Sequence, residues 1–148
     1  MKRHIFYKVT LLLICLGLAL SSVALASMET KQGQLDSQKL ADEWGIEVVS
    51  MRLTADSYML DFRYKVVDRE KARNIFKKGV QSVLIDQSSG ASFAVPNMPK
   101  IGPLRSANMP NEGKNYFMLF ANPGQYVKAG NLVTVQVGDL EVKNLRVN

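Results

Sequence analysis

The chain has 148 residues, 47% hydrophobic and 22% charged, which supports one domain of ordinary size and excludes a disordered chain. The formal charge is +6, but Lys2, Arg3 and Lys8 precede a long apolar run and no acid occurs before Glu29. Without those three, 16 basic residues face 13 acidic ones, a net +3, too mild a surplus to point to nucleic acid.

The opening has the layout of a secretory signal peptide. A basic start leads into the apolar core 11–20, and small residues follow up to Ala24-Leu25-Ala26. Cleavage is expected between Ala26 and Ser27, which divides the chain into a signal peptide (1–26), a leader with a short helix (27–44) and a folded domain (45–148). The alternative is an uncleaved anchor, since Val9 to Ala26 is 18 residues, marginal for spanning. The Ala-x-Ala end favours cleavage, a periplasmic or secreted location and no stable membrane insertion afterwards. Cys15 follows Ile14 inside the apolar core, which argues against lipidation. The processed chain would then hold neither cysteine nor histidine, because Cys15 and His4 leave with the signal.

Residues 27–34 read as a flexible polar leader. Asp36 is placed to cap a short helix, with Leu35 and Leu40 at staple positions. Leu40 and Trp44 are one turn apart, expected to cover one end of the core, and Gly45 ends the helix. Ile46 to Leu53 is a first strand whose apolar phase changes at Val49, the mark of a β-bulge. A turn at 54–57 leads to Tyr58–Val67. There Tyr58, Leu60, Phe62, Tyr64 and Val66 alternate with Met59, Asp61, Arg63, Lys65 and Val67, as in a half-buried strand at the centre of an antiparallel sheet. Asp61, with Arg63 and Lys65 on its own strand face, reads as a surface ion-pair partner.

Asp68 is a helix cap, and Ile75 and Phe76 can dock the turn it starts. Arg69, Lys71, Arg73, Lys77 and Lys78 form either an anion-binding patch or, more commonly for such runs, a solvated helix face. Val80 to Asp86 and Ala91 to Val95 are strands joined by a turn at 87–90. The stretch from Pro96 to Lys114 is 19 residues with four prolines, too many for an inner strand and long for a connection, so it is expected to be an ordered functional loop. Asn115 to Ala121 is apolar on both faces and is expected to be a central strand. Leu132 to Val137 and Leu140 to Val147 form a terminal hairpin through Gly138-Asp139.

Seven strands with short turns predict an all-β fold: a seven-stranded antiparallel immunoglobulin-like sandwich with short peripheral helical turns. From Trp44 to Val147 the chain also resembles a family of small exported bacterial proteins of unassigned activity. The residues that carry this are Trp44-Gly-Ile-Glu47, Tyr58 to Tyr64 with Asp68 and Ala72, Leu84-Ile-Asp86, Tyr116 to Gly124, and Gly138-Asp139. The resemblance implies export and brings no catalytic residues.

The available chemistry argues against an enzyme. Without His or Cys after processing, the common general base and thiolate nucleophile are missing, and neither Ser-x-x-Lys nor Gly-x-Ser-x-Gly occurs. No cofactor is expected. One metal alternative is copper: Asn97-Met98-Pro99 repeats as Asn108-Met109-Pro110, and Met98, Met109 and Met118 could offer soft thioethers to Cu(I). The alternative for these methionines is packing. The expected function is a non-enzymatic binding or interaction module of the cell envelope. The 96–114 loop is its contact surface, and Lys100, Arg105, Asn108 and Lys114 bind an envelope protein or polymer. Prolines stiffen such a loop and lower the entropy lost on docking.

Overall fold

A computed structural model describes residues 36–106 and 108–148. The expected signal segment, its cleavage point, the leader and Leu35 lie outside the described residues. Among the described residues no helix is long and apolar enough to cross a membrane. A compact unit spans Lys39–Asn148.

Residues 36–44 form helix α1; Asp36 is already helical and not a flanking cap. Leu40 and Trp44 pack against the core, as their spacing predicts. Gly45 ends the helix with φ +64° and an N–H bond to the Ala41 carbonyl of 3.1 Å. A Cβ there would lie 2.4 Å from the Asp68 carbonyl oxygen, so only glycine fits. The Gly45 carbonyl accepts from the Val67 and Asp68 amides, tying the helix end to the chain that leaves the second strand.

The unit is mostly β, with nine strands in three antiparallel sheets among the described residues. The first sheet has the order β1-β2-β7, from Ile46–Thr54, Met59–Val66 and Asn115–Ala121. The expected bulge is present: the β1–β2 register shifts between Val48 and Ser50, and Val49 points outward, exposed. Leu60, Phe62, Tyr64 and Val66 are buried, as the alternation of β2 predicts. Tyr58 is 55% exposed and belongs to the preceding turn, not to the strand. Asp61 on the other face is only 3% exposed. Arg52 across the strand pair and Arg63 lie over it at 3.0 and 2.8 Å, so the surface ion pair read from the sequence has a buried carboxylate beneath two half-exposed guanidiniums.

The second sheet has the order β4-β3-β8-β9, from Ser92–Ala94, Ser82–Asp86, Leu132–Val137 and Leu140–Arg146. The inner faces of the two sheets contribute to one core, including Leu60, Phe62 and Phe120 from the first and Leu84, Val133 and Val135 from the second. Full burial of each such side chain contributes about 1.5–3 kcal/mol. Between β2 and β3, helix α2 (Arg69–Ala72) is capped by the Asp68 carboxylate, which accepts from the Glu70 and Lys71 amides. The following 3₁₀ turn, Arg73–Phe76, buries Ile75. Phe76 meets Tyr116 edge-on at 4.8 Å, and Tyr116 stacks with Tyr64 at 6.0 Å. This aromatic chain joins the 3₁₀ turn to the core of the first sheet.

Two expectations are corrected. β7 is not central: it pairs only with β2 among the strands of its sheet, and Phe117 on its outer face is exposed. The stretch 96–114 is not one irregular loop. It contains a small third sheet, β5 (Asn97–Met98) with β6 (Gly102–Pro103). Residues 104–106 then run along the free edge of β7: Leu119 N–H donates to Leu104 O, Ser106 N–H to Phe117 O, and Arg105 bridges to Met118. The loop thus takes up the backbone groups of the second edge of β7, while the outer face of the strand stays open at Phe117.

Candidate functional site

The 96–114 segment has two parts with different roles. The β5–β6 hairpin projects Met98, Lys100 and Ile101 into solvent, with Ile101 at 72% exposure. Its base is fixed by the Leu104 amide bonded to the Pro96 carbonyl at 2.9 Å. The later part, 108–114, folds against the end of β2. Gly113 N–H donates to Val66 O at 2.8 Å, and Val66 N–H donates to Lys114 O at 3.0 Å. Lys100 therefore lies on the hairpin turn and Lys114 in the turn that enters β7, with the edge pairing of 104–106 between them in the chain.

Arg105 departs from the sequence reading. It is half-buried. Its Nη1 donates to Ser82 Oγ at 2.7 Å and to Val80 O at 3.3 Å, and its Nη2 donates to Ile75 O. It is thus a tie between the loop, the 3₁₀ turn and the start of β3, not a free cation on the loop. Burial pushes the guanidinium below its ordinary pKa, partly offset by Tyr64. Burial in turn pushes the Tyr64 phenol up, the Arg105 cation pulls it back, and Tyr116 adds to the rise. The Tyr64 hydroxyl is buried with no hydrogen-bond partner among the described residues. No acid forms an ion pair with Arg105 among the described residues.

Arg105 lines a cleft of about 800 Å³, within the range of small-ligand sites. Phe76, Val80, Val83, Val95 and Pro103 give it apolar walls, and Lys77 and Lys78 also line it. None of the described lining residues is acidic. The five-cation run therefore divides. Lys71 pairs with Asp68 at 3.6 Å and Arg73 with Glu70 at 3.3 Å, as on a solvated helix face, and Arg69 is exposed, while Lys77 and Lys78 are among the residues that line the cleft. Sequence reading missed Ser82 and this division. The only available signal was that Lys77-Lys78-Gly79 follows the docked Ile75-Phe76, at the break between helix and strand.

The methionines are not alike. Met118 is 1% exposed and part of the core, whereas Met98 and Met109 are exposed. The Met118 side chain is thus taken up by packing. Among the described residues no group of three or more His, Cys, Asp or Glu is placed to hold a metal. Asn108 is exposed and follows residue 107, which is outside the described set.

No family model, curated protein or solved structure matches this chain.

Proposed function

We propose that this chain is an exported, non-enzymatic binding module of the cell envelope that meets a protein or polymer partner through the 96–114 segment. Its scaffold is an immunoglobulin-like sandwich. Strand order supports the scaffold reading: β1, β2 and β7 take the places of the first, second and fifth strands of such a fold, and β3, β8 and β9 those of the third, sixth and seventh. β4 pairs with β3 instead of joining the first sheet, and the small β5–β6 sheet is an addition. Export rests on the basic, apolar and Ala-x-Ala order of residues 1–26.

The observation that carries the contact reading is the hairpin. Its tip holds an apolar side chain, Ile101, at 72% exposure beside Lys100, while its base is held by backbone pairing and by Arg105. A tip that buries nothing of its own and is already ordered loses little entropy on docking. The test is capture from an envelope fraction by wild type and by a Lys100→Glu, Ile101→Ser double variant. The variant should lose its partner while its stability stays within about 0.5 kcal/mol, as surface changes do. A variant that captures the same partner as wild type would remove the hairpin from the reading. Arg105 is left intact in this test because its loss would disturb the fold itself.

A further inference from the structure

The cleft beside the hairpin has a chemistry that the hairpin tip does not use. A guanidinium has five N–H donors, and three hydrogen bonds hold that of Arg105, none through Nε. At least two donors are therefore left, the Nε–H among them, with no partner among the described residues. All three partners are neutral: two backbone carbonyls and the Ser82 hydroxyl. The charge is half-buried and without a counter-ion among the described residues, an arrangement that an anion entering the cleft would relieve.

We propose that this cleft binds a carboxylate carried on an apolar body, a medium-chain fatty acid, with the carboxylate on Arg105 and the hydrocarbon against Phe76, Val80, Val83 and Val95. Three features select this class. Two spare donors match the two oxygens of one carboxylate. One half-buried cation calls for a single negative charge, because Lys77 and Lys78 are exposed and their charges are met largely by water. Apolar walls along the cleft call for a hydrocarbon body and not a sugar or a bare ion. Lys77 and Lys78 add attraction for an approaching anion, an effect that salt weakens. The inference goes beyond the contact reading and does not depend on it, since the hairpin tip and the cleft are separate surfaces.

The test is a calorimetric titration of the purified protein with decanoate, decanol and decyl phosphate, with the Arg105 Nε–H resonance followed by NMR. Decanoate should bind once per chain, at least tenfold tighter than decanol, and should move the Nε–H resonance where decanol does not. Lys77→Glu with Lys78→Glu should weaken decanoate at least threefold at low salt and leave the fold intact. Arg105→Lys, which keeps charge but loses donors, should weaken it at least tenfold. Should that variant fail to fold, the Nε–H shift in the wild type decides the same point. Equal binding of decanol, an unmoved Nε–H resonance, or no saturation with decanoate would each overturn the proposal. Decyl phosphate binding tenfold tighter than decanoate would overturn the carboxylate assignment. The Lys100→Glu, Ile101→Ser variant should bind decanoate as wild type does, so the cleft and the hairpin readings fail separately.

Discussion

Asn122 is the side chain whose removal most directly tests how the turns of this fold are held. It is fully buried. Its Nδ2 donates to Ser57 O at 2.8 Å and to Val127 O at 2.9 Å, and its Oδ1 accepts from the Val127 amide at 2.9 Å. The turn it grips runs through three successive non-glycine residues with positive φ, Ala55, Asp56 and Ser57, at 50°, 52° and 66°. Asn122→Ala strands the buried Val127 N–H, at about 1–3 kcal/mol, and removes two further bonds worth about 1 kcal/mol each. Ser57 is only half-buried, so its carbonyl regains water and part of that loss returns. Release of the left-handed turn also offsets some of it, since such residues are strained by about 1–2 kcal/mol each. The net expectation is a loss of about 2–4 kcal/mol. The assay is urea unfolding followed by the fluorescence of Trp44, the one tryptophan, which packs on the core. Gln125→Ala is the control: it removes one exposed bond to Asp56 O and should cost less than about 1 kcal/mol. Equal losses for the two variants, or an Asn122→Ala loss below about 1 kcal/mol, would refute the clamp.

Phe62→Ala should cost about 3–5 kcal/mol by urea unfolding, since Phe62 is buried and stacked on Tyr64 at 5.6 Å. Arg63→Ala alone should cost about 1 kcal/mol, because Asp61 keeps Arg52; Arg52→Ala with Arg63→Ala strands a buried carboxylate and should cost about 3–5 kcal/mol. Simple additivity of the two single variants would contradict that. Gly45→Ala should cost more than about 2 kcal/mol, given the Asp68 oxygen 2.4 Å from a new Cβ. Gly90→Ala has the same φ problem with open space around it, so thermal melts should rank it clearly milder. The Ser88 and Ser89 hydroxyls hold the Asp86 carboxyl below the usual carboxylate range. A pKa depressed on folding adds stability above the unfolded value, near pH 4, and that stability is lost as pH falls through the folded value. Ser88→Ala with Ser89→Ala should therefore destabilise at pH 7 and lose that difference near pH 2. An NMR titration that left the Asp86 value unmoved would count against this account.

Local rules made most of the scaffold legible in the residues themselves. The period-two alternation of Leu60, Phe62, Tyr64 and Val66 placed β2 and its buried face, because adjacent side chains on a strand point opposite ways. The phase change at Val49 located the bulge, and Asp68 and Gly45 marked helix ends through chemistry confined to one turn. What the sequence could not decide depended on who meets whom across the fold. The apolar pattern of β7 suggested an inner strand, but side-chain pattern speaks for the faces of a strand and not for its edges, and here the second edge is met by residues 104–106 while Phe117 stays exposed. Arg105 read as a loop cation because the carbonyls of Ile75 and Val80 that receive it lie 30 and 25 residues away and carry no side-chain signature. The cleft likewise exists only where the 3₁₀ turn, β3, β4 and the hairpin base come together. Its cations were visible in the chain; that they share a wall with Val83 and Val95 was decided by tertiary structure alone.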